Sequence, residues 1–210
     1  GVEGKSSVDR YYAIGLTYAN GPLNLAAVVD QTNFSTTKWN GVDWGNPVDD
    51  ALTVTVGGNY DFQVVKLYAG AQYFDNADLN SIDNIFSKDF ALSPAQTERF
   101  QVKGYGLTIG ADIPAAGGTF KVATSYLDGT IDKVNGWDMA TAIGATFGEI
   151  DISRWNTSAG YLYSLSKRTS LYGVASYSYQ TVKGQKDFNG YSLDVAPTVI
   201  EVAAGIVHKF

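Results

Sequence analysis

Histidine is the side chain that most often carries acid–base and nucleophilic chemistry, and this chain of 210 residues has one, His208. A Ser-His-Asp arrangement needs a histidine that an acid positions, whereas His208 shares strand parity with Ile206 and Phe210, which predicts an outward, interfacial position. One histidine, one methionine and no cysteine cannot supply a zinc or haem ligand set. The sequence therefore predicts a protein that is not an enzyme and binds no cofactor.

Two further segments resemble ligand sites only in part. Residues 75–84 are rich in carboxylate and amide oxygens that suit Ca²⁺, but they lack the spaced glycine and final glutamate of an EF-hand, so a solvated loop is favoured. Gly57-Gly58 and Gly117-Gly118 lack the strand-to-helix context of a phosphate loop and are interpreted as close-packed strand and turn positions. The net charge of −6, without a cluster of Lys and Arg, argues against a nucleic-acid partner.

Nine segments alternate with period two, which predicts β-strands. In the first, Tyr12, Ile14, Leu16 and Tyr18 share one face, and small or polar residues hold the other. The segments begin near residues 11, 23, 52, 65, 105, 120, 156, 171 and 199. Every segment has one apolar face, which indicates a sheet with one face toward an apolar medium.

The connections between these segments alternate between short and long. The short ones are residues 20–22, the region of Phe62 and Gln63, residues 114–118 and residues 166–168. The long ones are residues 31–50, 75–99, 128–153 and 180–197, against a usual loop length of about 4–6 residues. Short turns on one side and long loops on the other are typical of outer-membrane barrels. The sequence thus predicts an all-β, transmembrane, antiparallel β-barrel, with residues 1–210 in a single barrel domain.

Aromatic residues of the apolar face fall near both ends of the predicted strands. This distribution predicts interfacial girdles, although aromatics also favour strands in general and pack the cores of β-sandwiches. The group near the short turns is Tyr18, Tyr60, Phe62, Phe120, Tyr161, Tyr163 and Phe210. The group near the long loops is Tyr12, Tyr73, Tyr105, Tyr126, Tyr177 and Tyr179.

Strand direction leads to an expectation about the whole barrel. The last strand runs away from a long loop, and counting back over nine strands gives the first strand the same direction. Single-chain bacterial barrels have an even number of strands, and open sheet edges in lipid are costly. We therefore expect the chain to be the C-terminal part of a larger barrel, with an odd number of N-terminal strands missing.

Three segments resemble the general porins of Gram-negative bacteria of the Neisseria and Burkholderia type. They are residues 165–173 (LSKRTSLYG), the ending at residues 205–210 (GIVHKF) and residues 18–23 (YANGPL). The resemblance implies a 16-stranded barrel, a homotrimer in the bacterial outer membrane, and passive diffusion of small hydrophilic solutes. It also implies contact with lipid and lipopolysaccharide, and a role for the terminal Phe210 as a signal to the barrel-assembly machinery.

Charges on the lumen-facing parity are candidates for tuning such a pore. They are Asp30, Asp61, Lys66, Asp112 and Lys121, and all but the first are expected near the periplasmic mouth. The resemblance implies an eyelet built by a third loop and by basic residues of the N-terminal half, which this sequence does not contain.

Two other functions compete with that of a diffusion porin. A barrel with an enzymatic or adhesin role would need a catalytic set or a binding surface, and the one histidine offers no such set. A secreted all-β binding protein would have to expose the apolar strand faces to water, which soluble proteins avoid. The sequence favours the porin.

Overall fold

The computed structural model describes residues 10–34, 36–39, 42–47, 49–78, 100–134, 137–138, 149–184 and 194–209. Strands dominate this part of the chain, and no helix in it is long and apolar enough to span a membrane. The strands are β1 (Arg10–Asn20), β2 (Leu23–Asn33), β3 (Thr36–Trp39), β4 (Val42–Pro47), β5 (Ala51–Asp61), β6 (Lys66–Asp78), β7 (Phe100–Ala115), β8 (Gly118–Val134), β9 (Trp137–Asp138), β10 (Ile150–Ser164), β11 (Thr169–Gly184), β12 (Asp194–Val195) and β13 (Thr198–His208).

Nine long strands form an antiparallel meander in the order β1-β2-β5-β6-β7-β8-β10-β11-β13. Each long strand pairs with the next one in sequence, which confirms the nine predicted strands. The short β12 and the long β13 follow the same edge of β11, separated by Ala196 and Pro197. Here the backbone N–H of Gln180 donates to the carbonyl of Pro197 at 3.0 Å.

The tight connections end the strands where the sequence predicts. Asn20 pairs directly with Leu23, so only two residues form the first turn, and Gly21 adopts a φ of +56° that favours glycine. In the last turn the Ser166 hydroxyl accepts the backbone N–H of Thr169 at 3.0 Å. We call this side of the sheet the turn end, and the opposite side the loop end.

The register divides the side chains into two faces. Val29 lies opposite Ile14 and Val54 on one face, while its neighbour Val28 lies opposite Gly15 and Thr55 on the other. We call the first, which carries the described aromatic side chains of both predicted girdles, the outer face. The second, which carries the predicted lumen charges, is the inner face.

Aromatic side chains on the outer face contact one another across strands. The Tyr126 ring centroid lies 6.4 Å from that of Tyr105 and 6.0 Å from that of Trp155. Near the turn end, the Tyr161 hydroxyl donates to the carbonyl of Ala115 at 2.9 Å. Such rings suit a membrane interface because an apolar body carries a polar tip. Trp155 belongs to the loop-end group, although the sequence analysis omitted it.

The strands run further toward the loop end than predicted, and there the polarity of the two faces inverts. The predicted long connections began at residues 128 and 180, whereas β8 extends to Val134 and β11 to Gly184. Beyond the aromatic row, six apolar residues of the inner face are at most 9% exposed: Phe74, Val102, Ile131, Ile150, Ile152 and Val182. The outer face there carries Lys103, Asp128, Thr130, Asp151 and Ser153. This inversion is expected where strands rise out of the hydrocarbon layer into water.

Side-chain hydrogen bonds hold the segment just before β5 against this buried cluster. Gln101 of β7 is 2% exposed, and its side-chain amide donates to the carbonyl of Asp49 at 2.6 Å. The Asn76 amide donates to the carbonyl of Asp50 at 3.3 Å. Asn76 has a φ of +54°, and the β6–β7 register shifts between Phe74 and Ala77, which marks a bulge.

The short strands β3, β4, β9 and β12 correct the prediction that residues 31–50, 128–153 and 180–197 are loops throughout. They have 4, 6, 2 and 2 residues. Segments of two to six residues carry too few alternating positions for a period-two pattern to emerge.

Adjacent valines of β2 test the assignment of the faces. Val29→Arg places a charge on the outer face near mid-strand and is expected to lower the free energy of unfolding from lipid vesicles by about 2–4 kcal/mol. Val28→Arg places the same side chain on the inner face and is expected to cost less than about 1 kcal/mol. Urea titrations followed by tryptophan fluorescence would measure both. Equal losses would contradict the face assignment.

Candidate functional site

Four of the five predicted lumen charges lie in one row across the inner face. Asp61 of β5 pairs with Lys66 of β6, Lys66 with Asp112 of β7, and Asp112 with Lys121 of β8. The signs therefore alternate from strand to strand, at a spacing of about 4.8 Å between strands. The row lies at the turn end.

Asp112 is the centre of the contacts within this row. Its Oδ2 atom accepts from the Lys121 ammonium at 2.5 Å and from the Tyr68 hydroxyl at 3.0 Å. The Lys66 ammonium lies 5.4 Å from the centre of the Tyr68 ring, within the range of a cation–π contact. The side chain of Asp112 is 24% exposed and that of Lys121 48% exposed. Lysine thus presents the more accessible charge.

The fifth candidate, Asp30, lies apart from this row. It pairs with Ala13 and Thr53 on the inner face, toward the loop end. Thr53 and Asp61 are eight residues apart on β5, a distance of about 26 Å along the strand. Asp30 and the row would therefore meet a solute at different depths.

The inner face also carries two charges that the sequence analysis missed. Arg154 of β10 pairs with Gln180 and is half-buried, and Glu201 of β13 pairs with Ser176. The Ser176 hydroxyl donates to Glu201 Oε2 at 3.4 Å. Arg154 lies at the edge of a predicted loop, and Glu201 lies in the last predicted strand, for which the prediction gives bounds but no faces. Counting parity from Asn156 and Val199 would have found both.

A concave region of about 400 Å³ lies on the inner face beside the charged row. We call it the trough. Tyr68 lies on one side and Tyr172 on the other, while Asp112 and Lys121 border it. The floor between them consists of small residues: Gly110, Ala123, Ser158 and Gly160. Two aromatic rings with a charged pair over a floor of small side chains provide room and contacts for a small solute.

The remaining candidates take no part in this site. His208 lies on the outer face with Thr169, whose hydroxyl is 2.9 Å from its Nδ1 atom. Of the acidic segment 75–84, residues 79–84 lie outside the described residues, and Asp75 lies 3.9 Å from Lys103. No group of three metal-ligating side chains occurs within the described part of the chain. Phe210 lies outside the described residues.

The chain is similar to known outer-membrane proteins over nearly its whole length. A family model described as Gram-negative porin matches residues 1–185. An outer membrane porin protein of Bordetella pertussis is 30% identical, over 99% of this chain and 48% of that protein. The solved structure of an anion-selective porin from Comamonas acidovorans matches with a TM-score of 0.59 at 23% identity, over 99% of this chain and 51% of the other. The chain thus spans about half the length of these relatives.

A double-mutant cycle tests the contact at the centre of the charged row. Asp112→Asn and Lys121→Gln, alone and together, are expected to give a coupling energy of about 0.5–1 kcal/mol, because the pair is short but partly exposed. The same cycle on Asp61 and Lys66 provides a control and should give a smaller coupling, since these paired residues form no ion pair in the described structure. Urea unfolding from vesicles would measure both, and equal couplings would contradict the geometry.

Proposed function

Since this chain belongs to the Gram-negative porin family, we propose that it forms one side of a water-filled channel through which small hydrophilic solutes and ions diffuse passively. The observation that carries the proposal is the contrast between the two faces of the sheet. The outer face is apolar and bears aromatic side chains near both ends of the strands, as a lipid-facing surface requires. The inner face between them exposes charged and hydroxyl side chains, as a water-filled lumen requires.

The family belongs to the outer membrane, so the outer face meets lipid there, and the polar surface beyond the loop-end aromatics suits contact with lipopolysaccharide. In the described residues, β1 and β13 each pair along one edge only. An unpaired edge in lipid costs several kcal/mol for each backbone group. We therefore propose that these are the C-terminal nine strands of a 16-stranded barrel, whose remaining strands lie outside this sequence.

The family resemblance further suggests that three such barrels associate as a homotrimer. Analytical ultracentrifugation of the full-length protein in detergent would distinguish a trimer from a monomer. A catalytic or adhesive role has no support in the described residues: the single histidine lies on the outer face beside a threonine. We propose that the protein is not an enzyme and needs no cofactor.

Planar-bilayer recording of the full-length protein tests the channel. We expect single-channel steps whose size scales with the bulk conductivity of the salt, because a water-filled pore conducts as an extension of the solution. Lys121→Glu should shift the reversal potential in a salt gradient toward cation preference, since it reverses a charge whose side chain is 48% exposed. Lys121→Arg keeps the charge and should leave the potential unchanged. A sealed barrel would refute the proposal.

We further propose that Phe210 is part of a signal recognised by the barrel-assembly machinery, as the family resemblance implies. Phe210→Ser is expected to reduce the amount of folded protein in the outer membrane several-fold, while a matched change nearby, His208→Asn, should not. Fractionation of cells followed by gels of unheated samples would measure the folded fraction. If both variants gave the same amount of folded protein, the proposed signal would be refuted, and Phe210 would serve only as an anchor at the membrane interface.

A further inference from the structure

A second concave region, of about 1530 Å³, lies on the outer face in the half of the sheet nearer the turn end. On β5, β6 and β7 its lining begins and ends with outer-face residues, for example Val56 and Tyr60 on β5, so it opens on that face. We call it the outer groove. Its floor consists of small residues in neighbouring positions of β5 and β6: Gly58, Ala69 and Ala71.

Larger apolar side chains form the walls of the outer groove. On β7, Ile109 and Leu107 are exposed and pair with the two alanines of the floor. On the opposite side, Leu25 of β2 leans over the floor, because a Cβ atom at Gly58 would lie 2.6 Å from Leu25 Cδ2. The floor is therefore a channel along β6 between two raised walls.

Aromatic rings mark both ends of the outer groove. Toward the loop end, Tyr73 is the next outer-face residue of β6 after Ala71, and it pairs with Tyr105. Toward the turn end, the ring centroids of Tyr60 and Phe62 lie 4.4 Å apart. These rings belong to the two predicted girdles, so the groove lies within the band that contacts hydrocarbon.

The length of the outer groove matches one leaflet of a bilayer. Its lining on β5 runs from Val56 to Tyr60, which is about 13 Å along the strand. Half of a typical hydrocarbon core is about 15 Å. Because the short turns of such barrels face the periplasm, the leaflet concerned is the periplasmic one.

The lining of the outer groove selects an apolar occupant. Within the described residues it includes no charged side chain. Two threonines of the lining direct their hydroxyls to partners within the protein: Thr124 Oγ1 lies 3.0 Å from Thr157 Oγ1 and donates to the carbonyl of Asn156 at 3.1 Å. An unfilled groove would forfeit dispersion contacts along its floor. A flexible hydrocarbon chain can fill it, whereas a second sheet would need side chains of matching shape.

We propose that the outer groove binds one acyl chain of a phospholipid of the periplasmic leaflet. The chain lies over Ala69 and Ala71, between the walls of β2 and β7, with the headgroup at the level of Tyr60. Chain length, rather than headgroup, decides which lipid is retained. The inference rests on the proposed function in one respect, namely that the outer face meets lipid.

Native mass spectrometry of the full-length protein, extracted in mild detergent from vesicles of palmitoyl-oleoyl phosphatidylethanolamine, tests the groove. We expect one retained phospholipid per chain. Ala69→Leu with Ala71→Leu raises the floor and should lower the retained lipid at least fivefold, and each single change at least twofold. Ala159→Leu with Ala175→Leu is the matched control, because these alanines pair on the outer face outside the groove. It should leave the amount unchanged.

Two further lipids separate the chain from the headgroup. Dioctanoyl phosphatidylethanolamine has chains too short to follow the groove and should be retained at least fivefold less. Palmitoyl-oleoyl phosphatidylglycerol changes only the headgroup and should be retained equally. Equal retention of the short lipid, or retention that depends on the headgroup, would overturn the inference.

Gel mobility of unheated samples would establish that each variant is folded. The same spectra count the chains in each assembly. Filling variants that alter this number but retain the lipid would identify the groove as a contact between copies and overturn the inference. Because the measurement needs no ion current, the two proposals fail separately. A sealed barrel that retains the lipid would refute the channel alone, and a conducting barrel without retained lipid would refute the groove alone.

Discussion

The backbone hydrogen bonds between neighbouring antiparallel strands fix which side chains face inward, and every surface of this sheet depends on that register. A slip of one residue would exchange the two faces of a strand. Val28 would then meet lipid, and Lys121 would leave the lumen while its partner Asp112 stayed. The charged row consists of one residue from each of four strands, β5 to β8, and the register alone brings them together.

The inversion of polarity at the loop end occurs because the register stays the same while the medium around the outer face changes from lipid to water. Below the aromatic row the outer face meets lipid and must be apolar, whereas the inner face can be polar. Above it, the outer face is in water, and apolar residues such as Phe74, Val102 and Val182 are buried on the inner face instead. The buried amide of Gln101, bonded to Asp49, fixes the chain beside this cluster. These apolar residues therefore form a packed core on that part of the inner face.

Period-two alternation predicted the nine long strands, their faces and four tight turns, because lipid imposes a uniform requirement on one face over the whole membrane thickness. The same rule failed where lipid ends. The extensions of β8 and β11 were missed because Asp128 and Thr181 sit on a face expected to be apolar. For the charged row, the sequence predicted only that each of the four residues lies on the lumen-facing side of its own strand. The trough and the charged row both depend on the register between neighbouring strands. Alternation within one strand determines which face a residue occupies, but it does not determine which residues lie beside it on the next strand.

Alternating signs along the row limit what it can do at a distance. Opposite charges on adjacent strands lie about 4.8 Å apart, less than the Debye length of about 8 Å at physiological ionic strength. Their fields therefore largely cancel before salt screens them, and an ion at a distance from the row feels little net attraction. At contact the cancellation fails, because an anion touching Lys121 is closer to the ammonium than to Asp112, which is less exposed. A row of this kind therefore acts at short range, through contact with its more exposed ammonium, rather than by long-range steering.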